Sequence, residues 1–166
     1  MYKTEEELIS ILEELINNYE TECVEFKKAE TNFDIDKLGK YFSAMGNEAT
    51  LRNRQYSWIV FGIDDKTHEF TNTRYCSSNN FNRVKIQIAE KTTDNISFIE
   101  IYPLIVNNKR VIMFQVPAAV GVPISWKGFA YGRVGESLKP LSQNKIEQIR
   151  NTAIYDWSRQ IISSAS

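Results

Sequence analysis

SWIVFGIDD, residues 57–65, decides the architecture. From Ser57 to Ile63 the run is apolar with no alternation, the pattern of a strand covered on both faces. It runs straight into a turn, DDKT. A strand wet on neither side must lie inside a sheet with layers above and below, so the neighbouring segments have to supply those layers.

On the N-terminal side, Leu8, Ile11, Leu12, Leu15 and Ile16 recur at three and four, which predicts an amphipathic helix over about 5–18. ETECVEFKKAE, residues 20–30, follows as a strand. Its alternation puts Val24 and Phe26 on one face and Cys23, Glu25 and Lys27 on the other, so Glu25 need not be buried with the apolar pair: either the strand has one wet face or its carboxylates hold something. Asp34 caps a second helix that turns Leu38, Tyr41, Phe42, Met45 and Ala49 inward.

On the C-terminal side, a third helix is expected over Asn82 to Glu90. ISFIEIYPLIV and RVIMFQVP form a hairpin about Asn107-Asn108, and PISWKGFAYGRV a second one turning at Lys127-Gly128. A last helix, about 142–163, carries Ile146, Ile149, Ala153, Ile154, Trp157 and Ile161 on one side. Helices interleaved with hairpins argue an α+β fold, a mixed and mostly antiparallel sheet packed with about four helices. At 166 residues and 42% hydrophobic content, one domain over 1–166 with its core at about 20–150 is expected.

Composition narrows the chemistry. His68 is the single histidine, which removes histidine-pair ribonuclease chemistry within one chain and most zinc ligand sets. Two cysteines, Cys23 and Cys76, suit a reducing compartment and build neither a disulfide framework nor a four-cysteine zinc site. GVGES carries no Lys-Ser/Thr, so ATP has no phosphate loop. The acidic start at Glu5, Glu6 and Glu7 and the lack of a spanning apolar run point to the cytoplasm and away from membranes. A net charge of -1 does not fit a protein that coats DNA nonspecifically; nucleic acid would need local patches, for which Arg52, Arg54, Lys127 and Arg133 are placed near turns.

Carboxylates carry the remaining chemistry. Glu20 and Glu25 converge only if the chain bends between them, and Asp64 and Asp65 end the buried strand, where a rigid scaffold opens into a loop. Gathered together, they would call for a hard cation, Mg2+ or Mn2+, able to activate water against a phosphodiester. The plainer readings stand beside this one: DDKT as a turn former, and Glu25 with Lys27 as a solvated strand face. Trp126 beside Lys127 at a hairpin tip suits base stacking, Trp58 and Trp157 suit the core, Cys23 a buried spacer, and His68 an exposed turn.

In order, ETECVEFKKAE, YFSAMGNEA, WIVFGIDD and AYGRVGES resemble the Schlafen-type Alba-like domain, from about Glu20 to Arg150. The resemblance implies a metal-dependent endoribonuclease acting on structured RNA such as tRNA or rRNA, possible in a toxin or defence effector. It implies Glu20, Glu25 and an aspartate of the Asp64-Asp65 pair as catalytic metal ligands, with Lys27 approaching phosphate or steadying Glu25. Tyr56-Ser57 stands where family members often carry paired glycines. A single lobe would need a homodimer to recreate a two-lobed RNA cleft. Two further readings belong to the same fold: a DNA- or RNA-binding regulatory module with structural carboxylates, and a protein-interaction subunit that pairs through its C-terminal helix.

Overall fold

The computed structural model describes residues 2–19 and 23–152. In chain order it has α1 (Glu5–Asn17), β1 (Val24–Lys27), α2 (Ile35–Leu51), β2 (Tyr56–Phe61), α3 (Phe81–Ala89), β3 (Glu100–Val106) and β4 (Lys109–Pro117). β5 (Ser125–Trp126), β6 (Phe129–Val134) and β7 (Ser137–Pro140) follow, and then a helix, α4, at 143–152. The expected continuation of α4, with Ala153, Ile154, Trp157 and Ile161, lies outside the described residues.

A four-stranded sheet runs β1-β2-β4-β3, with β1 parallel to β2 and the remaining pairs antiparallel. A separate three-stranded antiparallel sheet runs β5-β6-β7. The mixed, mostly antiparallel α+β architecture is the one its sequence patterns imply.

β2 explains why its sequence does not alternate. Trp58 and Val60 point to one side, where Leu8, Leu12 and Leu15 of α1 cover them together with Val24 and Phe26. Ile59 and Phe61 point to the other, against Leu38, Tyr41, Phe42 and Met45 of α2. Both faces are dry, so both registers must be apolar.

Local signals set the element ends. The Thr4 hydroxyl accepts from Glu7 N at the start of α1, and Asp34 accepts from Asp36 N at the start of α2. Asn107 and Asn108 both take positive φ (53° and 62°), as do Lys127 and Gly128 (52° and 81°), the signature of two-residue primed turns that match strand twist. At Gly62, φ is 99° and a Cβ would stand 2.6 Å from Arg110 O, so only glycine lets β2 exit past β4.

Candidate functional site

β1 delivers two charged side chains to the α2 side of the sheet, Glu25 and Lys27, by the same alternation that sends Val24 and Phe26 under α1. The solvated face of the plainer reading is not there. Glu25 is only 5% exposed, because β6 of the small sheet lies over it and brings Arg133. One Glu25 oxygen is 3.1 Å from Lys27 Nζ and the other 3.1 Å from Arg133 Nη2. Arg133 Nη1 also donates to Val24 O at 3.1 Å and reaches Met45 Sδ at 3.4 Å.

Burial pushes the Glu25 carboxyl above the ordinary glutamate range and outweighs the opposing pull of Arg133 and Lys27. Lys27 moves up as well: burial works against its charge, but hydrogen bonding to Tyr41 and the Glu25 charge more than offset it. The Lys27 ammonium stands 4.7 Å from the Tyr41 ring centroid, a further stabilisation of the cation.

Behind this pair sits a second one that the sequence reading did not single out. Glu48, a buried residue of α2, accepts from Arg133 N at 3.1 Å and from Lys145 Nζ at 2.7 Å. Lys145, on α4, also donates to Arg133 O at 3.0 Å. The backbone of Arg133 is thus clamped on both sides. Gly132 permits this, since a Cβ there would meet Leu141 Cδ1 at 2.9 Å and Glu48 Oε1 at 3.4 Å. A glutamate one position before the inward-facing Ala49 was the available signal, because a buried charge demands a partner.

The exposed side of the cluster opens into a groove of about 550 Å³. Three acids line it, Glu25, Asp65 and Glu136, and three bases, Lys27, Arg52 and Arg133. Arg52, the first residue past α2, is exposed, and among the described residues no carboxylate pairs its guanidinium. His68 is not the exposed turn residue expected: it is half-buried at φ 60°, its ring edge-on to Tyr19 at 4.2 Å and 5.0 Å from Phe26, and it lines the same groove.

The other expected site residues lie elsewhere. Asp64 does not line the groove; it pairs with Lys28 at 3.1 Å and accepts from Lys66 N and Thr67 N at 2.8 and 2.9 Å. These turn amides, with Lys28, hold its carboxyl well below the usual aspartate range. Glu20 lies outside the described residues. Arg54 lines a separate hollow of about 280 Å³ with Glu14, Cys23 and Trp58, where burial pushes the Cys23 thiol up.

Lys127 sits 2.9 Å from Asp36 in the first turn of α2, whereas Arg52 caps its other end, about 24 Å away along the helix. Trp126 is not a free stacking surface. It is 3% exposed, donates its indole N–H to Asp36 at 2.7 Å, and occupies the space a side chain at Gly39 would fill. A glycine in the interior of α2 was the trace of that close approach.

A hard divalent cation needs free carboxylate oxygens. Glu25 has committed both of its oxygens to cations, and among the described residues no three histidine, cysteine, aspartate or glutamate side chains come together as cation ligands. The described donor set in this arrangement does not fit Mg2+ or Mn2+.

A sheet with α1 on one face and α2 on the other, carrying a small β-hairpin sheet that closes over the edge strand, defines a compact α+β class with a polar groove at β1. The chain belongs to the Schlafen, AlbA_2 family, whose model matches residues 20–142. Its fold is similar to the crystal structure of the DIP2311 protein from Corynebacterium diphtheriae, with a TM-score of 0.64 and 20% identity over 89% of this chain. That match covers 29% of the Corynebacterium protein, so the chain spans less than a third of that relative. A second similar structure, determined by solution NMR, is the N-terminal domain of a putative ATP-dependent DNA helicase RecG-related protein from Nitrosomonas europaea. There the TM-score is 0.48 and the identity 21%, over 77% of this chain and 88% of that one. Among curated proteins none matches this chain. No described helix is long and apolar enough to cross a membrane.

Proposed function

We propose that the chain is a nucleic-acid-binding module and that the groove beside β1 receives backbone phosphate. One observation carries the reading: Arg52 stands exposed at the groove rim with no carboxylate partner among the described residues, next to Lys27 and Arg133, which Glu25 holds in place. A phosphate entering there meets one free guanidinium and two oriented cations. The test is a titration of RNA and DNA at several salt concentrations. Arg52→Ala should lower the slope of log affinity against log salt by about 0.7–0.9 per lost phosphate contact. An unchanged slope would remove the groove from the reading.

Hydrolysis of structured RNA, such as tRNA or rRNA, is the finer reading, and a separate observation favours it. A buried carboxylate with a raised affinity for protons, Glu25, shares the groove with Asp65 and His68, the kind of environment that tunes acids and bases. Incubation with total tRNA in Mg2+ or Mn2+, beside EDTA and a Glu25→Gln variant, decides it. Discrete cleavage lost in the variant supports hydrolysis. Intact tRNA with binding retained leaves the module as a binder.

A further inference from the structure

We propose that the face of β6 bearing Phe129 and Tyr131, with Lys40 beside it, is a stacking platform for unpaired nucleotides that leads a single strand into the groove; the proposal rests on the nucleic-acid reading and names its ligand class. Phe129, Tyr131 and Arg133 alternate along one strand and so share a face. Two aromatic rings and then the groove guanidinium therefore stand in a row.

The rings of Phe129 and Tyr131 are 4.9 Å apart at 54°, and Phe129 is 48% exposed. A lone exposed apolar side chain is ordinary and needs no explanation. What sets this one apart is its company. Lys40 Nζ stands 6.0 Å from the Tyr131 ring centroid, and Lys127 lies on the turn just before Phe129.

One carboxylate, Asp36, pairs with both of these lysines, at 3.6 Å from Lys40 and 2.9 Å from Lys127, so one of the two ammonium charges is left over. Hydrogen bonds from Lys127 and Trp126 hold Asp36 down to about 2, so it stays an anion and cannot trade places with a phosphate by taking up a proton. An exposed ring backed by a half-buried one, with ammonium groups beside them, matches a strand whose bases stack while its backbone is neutralised. In a duplex the base faces are already covered by their neighbours, so only an unpaired base offers a free face to Phe129.

The test uses the full chain and fluorescence anisotropy with labelled oligo-U RNA and oligo-dT DNA of about ten nucleotides, within single-strand site sizes, and a blunt RNA duplex of equal length. Phe129→Leu keeps an apolar side chain but removes the ring. It should weaken binding of one or both single strands roughly 5- to 100-fold, leave the duplex unchanged, and be rescued by Phe129→Trp. Which oligonucleotide responds separates RNA from DNA as the source. If Phe129→Leu leaves both single strands unaffected while Arg52→Ala weakens them, the platform is overturned and the groove reading stands. Wild type with no affinity for any of the three overturns both. A shift in self-association by sedimentation, with oligonucleotide affinities unchanged, assigns the face to a second copy of the chain and overturns the proposal.

Discussion

Arg133 on β6 holds its guanidinium 3.1 Å from the Glu25 carboxylate on β1, and this ion pair fastens the small sheet over the edge strand of the large one. The groove exists because of that fastening: its floor is β1 and its wall is the strand carrying Arg133. Stability and site geometry therefore depend on the same contact, and substitutions at either end report on both.

Arg133→Ala leaves Glu25, 5% exposed, with Lys27 as its single cation and strips Val24 O of a donor. Breaking a buried pair from one side costs on the order of 3–5 kcal/mol. Urea unfolding at neutral pH should show a loss of that order. Arg133→Lys should recover little, because a point charge cannot serve Val24 O and Glu25 at once. A loss under about 1 kcal/mol would class the pair with solvated surface bridges.

The pH dependence follows from the direction of the Glu25 shift. Its carboxyl binds a proton more readily in the folded chain than in the unfolded one, because burial outweighs Arg133 and Lys27. The stability it contributes is fully present below the unfolded value, about 4.3, and is lost as pH rises through the higher folded value. Wild-type stability minus that of Glu25→Gln should therefore fall as pH rises from about 4 toward neutrality. A difference that grows over the same range would show that the two cations outweigh burial.

Local signals carried the architecture into the sequence. The three-and-four spacing of Leu8, Leu12 and Leu15, the cap at Asp34, the unbroken apolar run of β2 and the Asn107-Asn108 turn each act over a few residues, and each appears where its chemistry demands. The groove was only half legible. Alternation put Glu25 on the face opposite Val24 and Phe26, but what covers that face is Arg133, whose neighbouring contact to Val24 spans 109 residues. Periodicity holds no information about such a partner. His68 was misjudged for the same reason, since its turn is local while its ring contacts, Tyr19 and Phe26, are not. Trp126 next to Lys127 at a turn read as a surface pair, and only the empty space at Gly39 shows why the ring goes inward.

That space makes Gly39→Ala a clean test. Alanine gains about 1 kcal/mol over glycine in a helix interior. Its Cβ, however, would stand 2.2 Å from the Trp126 ring, which the Asp36 hydrogen bond and the β5–β6 turn hold in place. The clash outweighs the propensity gain, and overpacking of this kind costs on the order of 1–3 kcal/mol. The expected result is a lower urea midpoint together with a change in Trp126 fluorescence. A raised midpoint would mean that the hairpin shifts freely and that propensity decides.

Glu48 and Lys145 test whether α4 helps to hold the groove wall. Glu48 is 7% exposed and accepts from both Arg133 N and Lys145 Nζ, so Glu48→Ala leaves the backbone N–H without its acceptor and the ammonium group with Arg133 O but no carboxylate. A loss on the order of 3 kcal/mol is expected. Lys145→Met removes a side chain that is 31% exposed and leaves the Arg133 amide on Glu48, so its cost should be smaller, about 1–2 kcal/mol after solvent screening. The two should not add in the double variant, because they belong to one network. Full additivity, measured by urea unfolding of all four proteins, would show that Lys145 and Glu48 act separately. α4 would then hold Arg133 through the Lys145 bond to its carbonyl alone, not through Glu48.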